Sequence, residues 1–269
     1  MRNSTDYEVL RAGRVLARIT EVAREARIEF LVVGATARTI ISIGLLGTNP
    51  ERQTKDIDIA AEVDSWAEFE RLAKGLDERK GVHKFVVAGT EVDVVPYGGV
   101  ERVDRTILWP DDHQMNVIGL REAVASAETA LLPGGVSVEV PSIPALALLK
   151  LFAWQDRYRD DTRDAVDLAV ILEWYSSAHY WDRLYGEAFH ILEKFDFDPL
   201  LAGAGLLGRH MSDLLDRNAV AALLGVVDNE DLMGRLAQDM SAARAPGLVA
   251  AMGDGIRDAV AERHPTEGR

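Results

Sequence analysis

Residues 55–60 read Lys55-Asp56-Ile57-Asp58-Ile59-Ala60, two acids alternating with two β-branched apolar residues. In an extended strand alternate side chains share a face, so Asp56 and Asp58 are expected on one side about 7 Å apart. Two carboxylates held that way repel each other and contribute nothing to a hydrophobic sheet unless a cation lies between them. Upstream, Phe30–Val33 reads as a short buried strand that stops at Gly34-Ala35-Thr36. A helix is expected over Thr36–Ile43, broken at Gly44 and followed by a loop holding Gly47, Asn49 and Pro50. Downstream, Ser65 and Glu68 have capping-box spacing and open a helix carrying Trp66, Phe69, Leu72 and Leu76. Lys84–Val87 and Glu91–Val95 then form two β-like runs joined at Ala88-Gly89-Thr90, as in a hairpin. The second run places a third acid, Asp93, among valines.

Further out the pattern is simpler. Tyr7–Ala26 spaces Leu10, Leu16, Ile19, Val22 and Ala23 as a helix does. Trp109-Pro110-Asp111-Asp112 reads as a turn, Gly119–Ala127 as a short helix and Val136–Val140 as one more strand. From Pro141 onward the sequence has helical period almost throughout. The expected fold class is therefore α+β. Residues 1–140 would form a domain with a small mixed β-sheet flanked by helices, and residues 141–269 an α-helical domain.

The chain of 269 residues carries 30 Lys and Arg against 44 Asp and Glu, a net charge of −14. Such a balance argues against a protein that coats nucleic acid through a broad basic face, though not against one that grips an RNA end locally. There is no cysteine, which excludes disulfides, thiolate nucleophiles and cysteine-ligated zinc or iron–sulfur centres. No apolar run approaches the roughly 18–20 residues of a membrane span. The start MRNSTDYEVL lacks the apolar core of a secretory signal, so the expected location is the cytoplasm, with no membrane partner.

The three acids define a chemistry. A hard cation, Mg²⁺ or Mn²⁺, takes one or two carboxylates together with nucleotide phosphates. If the strand of Asp93 lies beside that of Asp56 and Asp58, the three complete a two-metal site of the phosphoryl-transfer type. Gly34 lets the backbone approach phosphates where a helix begins, and Ala35 and Thr36 bring the N–H groups of that helix start and a hydroxyl to the same place. A lone Asp-x-Asp is commonly a solvated strand end; it is the combination, in this order, that is specific.

Together, Gly34-Ala35-Thr36, Asp56-x-Asp58 and Asp93 resemble the signature of the DNA polymerase β-type nucleotidyltransferase superfamily. The wider context is LVVGATAR over Leu31–Arg38, Arg52-x-Thr54-Lys55-Asp56-Ile57-Asp58 and Asp93-Val94-Val95-Pro96-Tyr97-Gly98. Later come Leu149-Lys150-Leu151-Phe152-Ala153-Trp154 and Arg163-Asp164-Ala165-Val166-Asp167-Leu168. With these, residues 28–175 are similar to the AbiEii/AbiGii-like and MenT-like toxin nucleotidyltransferases. The superfamily usually has Gly-Ser after the first strand; here the pair is Gly34-Ala35 and the hydroxyl stands one position later, at Thr36. The resemblance implies transfer of NMP from an NTP to an acceptor hydroxyl, metal ligation by Asp56, Asp58 and Asp93, and a toxic role opposed by an antitoxin. It further implies that the acceptor is the 3′ end of tRNA or another RNA.

In Ala145–Trp154 (ALALLKLFAW) nine of ten residues are apolar, so Lys150 either snorkels to water or meets a carboxylate or phosphate. The resemblance implies contact with the nucleotide phosphates, and it implies that Asp167 is needed for activity. Arg157, Arg159, Arg163, Asp164 and Asp167 otherwise read as an ion-paired face in which Arg163 and Asp167, four apart, can join. Arg38, Arg52 and Lys55 flank the phosphate site and are expected to steer the triphosphate or the acceptor. The six histidines have no ligand spacing, and Trp154, Trp174, Tyr175, Tyr180, Trp181 and Tyr185 read as core of the helical domain. Two other readings keep their place: the same chemistry on an aminoglycoside or a protein side chain, and a nucleotide-binding module without turnover.

Overall fold

Helix α1 (Ser4–Ala26) buries Leu16, Ile19, Val22 and Ala23 and leaves Leu10 largely exposed before the chain enters β1 (Phe30–Val33). The computed structural model describes residues 4–48 and 55–263. The chain divides into two units, Met1–Ser142 and Ile143–Arg269.

In the first unit α2 (Gly34–Gly44) starts directly at the end of β1, and β2 (Ile57–Val63) returns antiparallel to β1. Helix α3 (Trp66–Gly75) opens as its capping box predicts. Ser65 Oγ accepts the Glu68 N–H, and the Glu68 carboxylate accepts the Asp64 N–H at 2.8 Å. The short β3 (Glu78–Arg79), β4 (Lys84–Val87) and β5 (Thr90–Gly98) follow, and β5 lies parallel to β2. The order β1-β2-β5-β4-β3 makes a five-stranded mixed sheet. Its two central strands carry Ile57, Ile59, Val92 and Val94, all fully buried. The acids alternate with them on the other face, as the pleat requires.

Three features were not legible in the pattern. The Trp109–Asp112 turn joins a hairpin of β6 (Thr106–Leu108) and β7 (Gln114–Asn116), and after α4 (Leu120–Ala125) the strand β8 (Glu128–Leu132) pairs with β9 (Val136–Val140). With β3 these are strands too short or too exposed for alternation to stand out.

The second unit is helical among its described residues: α5 (Ile143–Arg157), α6 (Arg163–Trp174), a 3₁₀ turn at 178–180, α7 (Trp181–Tyr185), α8 (Phe189–Lys194), α9 (Pro199–Asp213), α10 (Arg217–Val227), α11 (Glu230–Asp239) and α12 (Ala245–Arg263). Trp154, Trp174 and Tyr175 belong to its core, but Trp181 and Tyr185 are 52% and 55% exposed. Both sit on the five-residue α7, which is too short to bury a full face. Helices α9 and α12 pack backbone to backbone. A Cβ on Gly255 would overlap the Gly205 carbonyl, and one on Gly208 would overlap that of Met252. Gly255→Ala is therefore expected to destabilise the protein by about 1–3 kcal/mol, since neither backbone can yield as a side chain would. Thermal unfolding followed by circular dichroism measures this, and an unchanged midpoint would refute the backbone contact.

Candidate active site

The sheet register assembles the site. Val33 pairs with Asp58, Asp58 with Asp93 and Asp93 with Lys84, so one row crosses β1, β2, β5 and β4 with its side chains on one face. Gly34, the residue after Val33, closes the row at its β1 end. Its φ is +65°, and a Cβ there would overlap Asp58 Oδ2 and lie 2.7 Å from Asp58 Cγ. Glycine is thus required twice, for a left-handed backbone and for the space that the Asp58 carboxylate fills.

Asp56 lies one residue before β2 rather than within it, because its main-chain carbonyl accepts the Thr36 hydroxyl at 3.3 Å instead of a strand neighbour. The Thr36 proton is committed to that bond, which ties the first turn of α2 to the acid-bearing strand. Ala35 and Arg38 are buried in α2, Lys55 is exposed, and Arg52 lies outside the described residues. The first turn of α2 holds no acidic residue, so its N–H groups and the positive end of its dipole face the acid row without an internal carboxylate competitor.

Asp93 is engaged by a residue that motif spacing did not single out. Lys84 Nζ donates to Asp93 Oδ2 at 3.0 Å and to Oδ1 at 3.2 Å. The hydrogen bonds to Asp93 raise the Lys84 pKa above its ordinary value; burial opposes this, and the charges of Asp93, Asp56 and Glu91 add to it. His83, one residue before β4, packs against Trp109 at 5.3 Å, and burial lowers its pKa.

The donor set fits the divalent ion that the acids imply. Three carboxylates are hard oxygen ligands, and the space a Cβ at position 34 would take is kept for one of them. Among the described residues, however, no three His, Asp or Glu side chains already converge as a cage. In this structure Asp93 is turned to an ammonium instead.

In the second unit Lys150 does not snorkel. Its ammonium lies 3.0 Å from Asp164 Oδ1 and 2.8 Å from Asp167 Oδ2, with all three side chains buried. Arg157 Nε donates to the other Asp164 oxygen at 2.7 Å. Asp167 thus meets Lys150, while the exposed Arg163 forms its close ion pair with Asp161, whose pKa those bonds lower to about 2. Asp164 and Arg157, part of the stretch that reads as an ion-paired face, complete this network.

The model of the nucleotidyl transferase AbiEii toxin family, from type IV toxin–antitoxin systems, matches residues 14–252. The chain belongs to the AbiEii family. As an AbiEii-family protein it is a nucleotidyltransferase of toxin–antitoxin type, with the α+β class and mixed sheet that its strand pattern predicts. No curated protein matches it. Among solved structures, a match is found to the antibiotic-resistance factor ANT(2'')-Ia, studied in solution. It is 15% identical with a TM-score of 0.39, and the match covers 70% of the AbiEii-family chain and 97% of the other. Among the described residues no helix is long and apolar enough to cross a membrane.

Gly34→Ala tests the β1 end of the row. The left-handed backbone costs an L-residue about 1–2 kcal/mol, and the new methyl displaces Asp58. A displacement near 1 Å is expected to lower nucleotidyl transfer on the order of 10²-fold. A variant with wild-type transfer rate would show that Asp58 does not need its place against Gly34.

Proposed function

We propose that this protein transfers an NMP group from an NTP to the 3′-terminal hydroxyl of an RNA, with tRNA the expected acceptor, and that it does so as the toxin of a toxin–antitoxin pair. The observation that carries the reading is the Asp58–Asp93 pair on adjacent parallel strands beside the Gly34 start of α2. The acceptor oxygen forms a bond to the α-phosphorus, the bond from that phosphorus to the oxygen bridging to the β-phosphate breaks, and pyrophosphate leaves. Backbone N–H groups at the start of α2 hold the triphosphate. Asp56, Asp58 and Asp93 would hold Mg²⁺ or Mn²⁺, which when bound offsets phosphate charge and favours loss of the acceptor proton. Exposed Lys55 lies beside the acids, where it attracts the anionic substrate. The family resemblance assigns Lys150 to the phosphates and Asp167 to activity. The Lys150 amine lies between Asp164 and Asp167, and this contact supports reading Asp167 as a group that positions it.

Incubation of total bacterial RNA with each α-³²P-labelled NTP and Mg²⁺ tests the reading, and a labelled tRNA-sized band is the expected result. The net charge of −14 favours a second acceptor class, the cationic aminoglycosides. Label on an added aminoglycoside or on protein, with none on RNA, would keep the chemistry and overturn the acceptor. Tight NTP binding with no label on any acceptor would identify a binding module.

A further inference from the structure

The Lys84–Asp93 pair has a geometry that bears on how the acid row is filled. The row Asp58–Asp93–Lys84 is fixed by backbone pairing, so the ammonium is delivered to Asp93 by the register of the β4–β5 hairpin and not by chance encounter. Lys84 contacts both oxygens of Asp93 and so lies in the fork of the carboxylate, where a hard cation would bind. The two partners differ in access. The Lys84 side chain is 57% exposed and that of Asp93 is 20% exposed, so the lysine covers the acid from the solvent side. A long, flexible, half-exposed lysine can leave that position at small cost, since an ion pair with one solvated partner is weak.

We propose that Lys84 is a resident counter-cation of the acid row, which competes with the divalent ion for Asp93 and is exchanged for it when the site is loaded. The proposal rests on the reading of Asp58 and Asp93 as metal ligands and adds a positioning residue to it. Without nucleotide the ammonium offsets part of the repulsion between Asp93 and Asp58, whose places in the row are set by the backbone pairing. When the divalent ion enters, Lys84 is released beside the site as a cation on a four-carbon stem, within reach of an acceptor's phosphate backbone. No covalent bond changes in the exchange; one cation replaces another on the same carboxylate.

The test reads metal binding in the full-length, nucleotide-free protein, with Mn²⁺ as the probe and its free concentration followed by electron paramagnetic resonance. Lys84→Met is expected to bind Mn²⁺ about two- to fivefold more tightly than wild type, the range that removal of a weak ion pair gives. Lys84→Arg, which keeps a cation at the fork, is expected to stay near wild type. Asp93→Asn should weaken binding, and Lys84→Met should then add nothing to it. A purely structural lysine would not move Mn²⁺ affinity, so Lys84→Met at wild-type affinity with Asp93→Asn weakened would overturn the proposal alone. Asp93→Asn at wild-type affinity would overturn it together with the metal-site reading. Because Lys84 is exposed, both of its variants are expected to melt as wild type does.

Discussion

Asp58→Asn is expected to lower nucleotidyl transfer on the order of 10³-fold while the protein melts at its usual temperature. The expectation follows from what the substitution leaves in place. Asparagine has the size and shape of aspartate, so the space beside Gly34 stays filled and the β2 register is undisturbed. Ile57 and Ile59, fully buried on either side, keep their packing. Only the charge is lost, and with it the anionic end of a row whose other acid, Asp93, already has an ammonium beside it. A site that handles a triphosphate depends on electrostatics more than on any covalent step, because the protein's role in such a transfer is to position and neutralise charge. The rate of label transfer to RNA, measured beside a thermal melt, decides the matter. A variant that transfers within tenfold of wild type would remove Asp58 from the reaction. One that loses both activity and melting temperature would show instead that the carboxylate supports the fold.

The contrast with Gly34→Ala separates two roles that meet at one point. There the backbone is strained and the acid displaced, so a modest stability cost accompanies the loss of transfer. Asp58→Asn carries no strain, and its effect on transfer is expected to be larger.

How much of this was legible in the sequence depends on the range of the interaction concerned. The row acids were, because a strand has a period of two and Asp56-Ile57-Asp58-Ile59 displays it within four residues. The limits of β1, β4 and β9 agree with the apolar runs that mark them. Asp56, by contrast, drops out of β2 because of a tertiary contact: the Thr36 hydroxyl, twenty residues upstream, takes its carbonyl. Lys84 escaped notice for the same kind of reason. Its strand was evident, but which acid it would face depends on the turn at Ala88-Gly89, where both residues have positive φ and set the hairpin register. In the second unit the oddity of a lysine in ALALLKLFAW was visible, and Asp167 could be expected near it. That Asp164 would share the lysine required knowing which face of α6 turns inward, and in RDAVDLAVILEW apolar residues occur on nearly every side.

Lys150→Met is expected to have the largest effect on stability. Lys150 Nζ lies 2.8 Å from Asp167 and 3.0 Å from Asp164, and Asp167 is fully buried. Methionine fills nearly the same volume, so packing of α5 on α6 survives and the loss is one of charge. Asp164 and Asp167 then keep their charges in an apolar setting without the ammonium that lay between them, while Arg157 still reaches Asp164. Removing one partner of a buried ion pair costs about 3–5 kcal/mol, because the other charge is left uncompensated. In a unit of this size that lowers the melting temperature by roughly 10 °C or more. A second variant distinguishes charge from shape. Lys150→Met combined with Asp164→Leu and Asp167→Leu removes all three charges, and buried ion networks replaced by well-packed hydrophobic residues of similar volume often regain most of the loss. The triple variant is therefore expected to melt well above Lys150→Met and, on the roles proposed for Lys150 and Asp167, to remain inactive. If instead the triple variant melts no higher than Lys150→Met, the lysine stabilises α5 through its packed methylenes, and the buried charges are not what holds these two helices together.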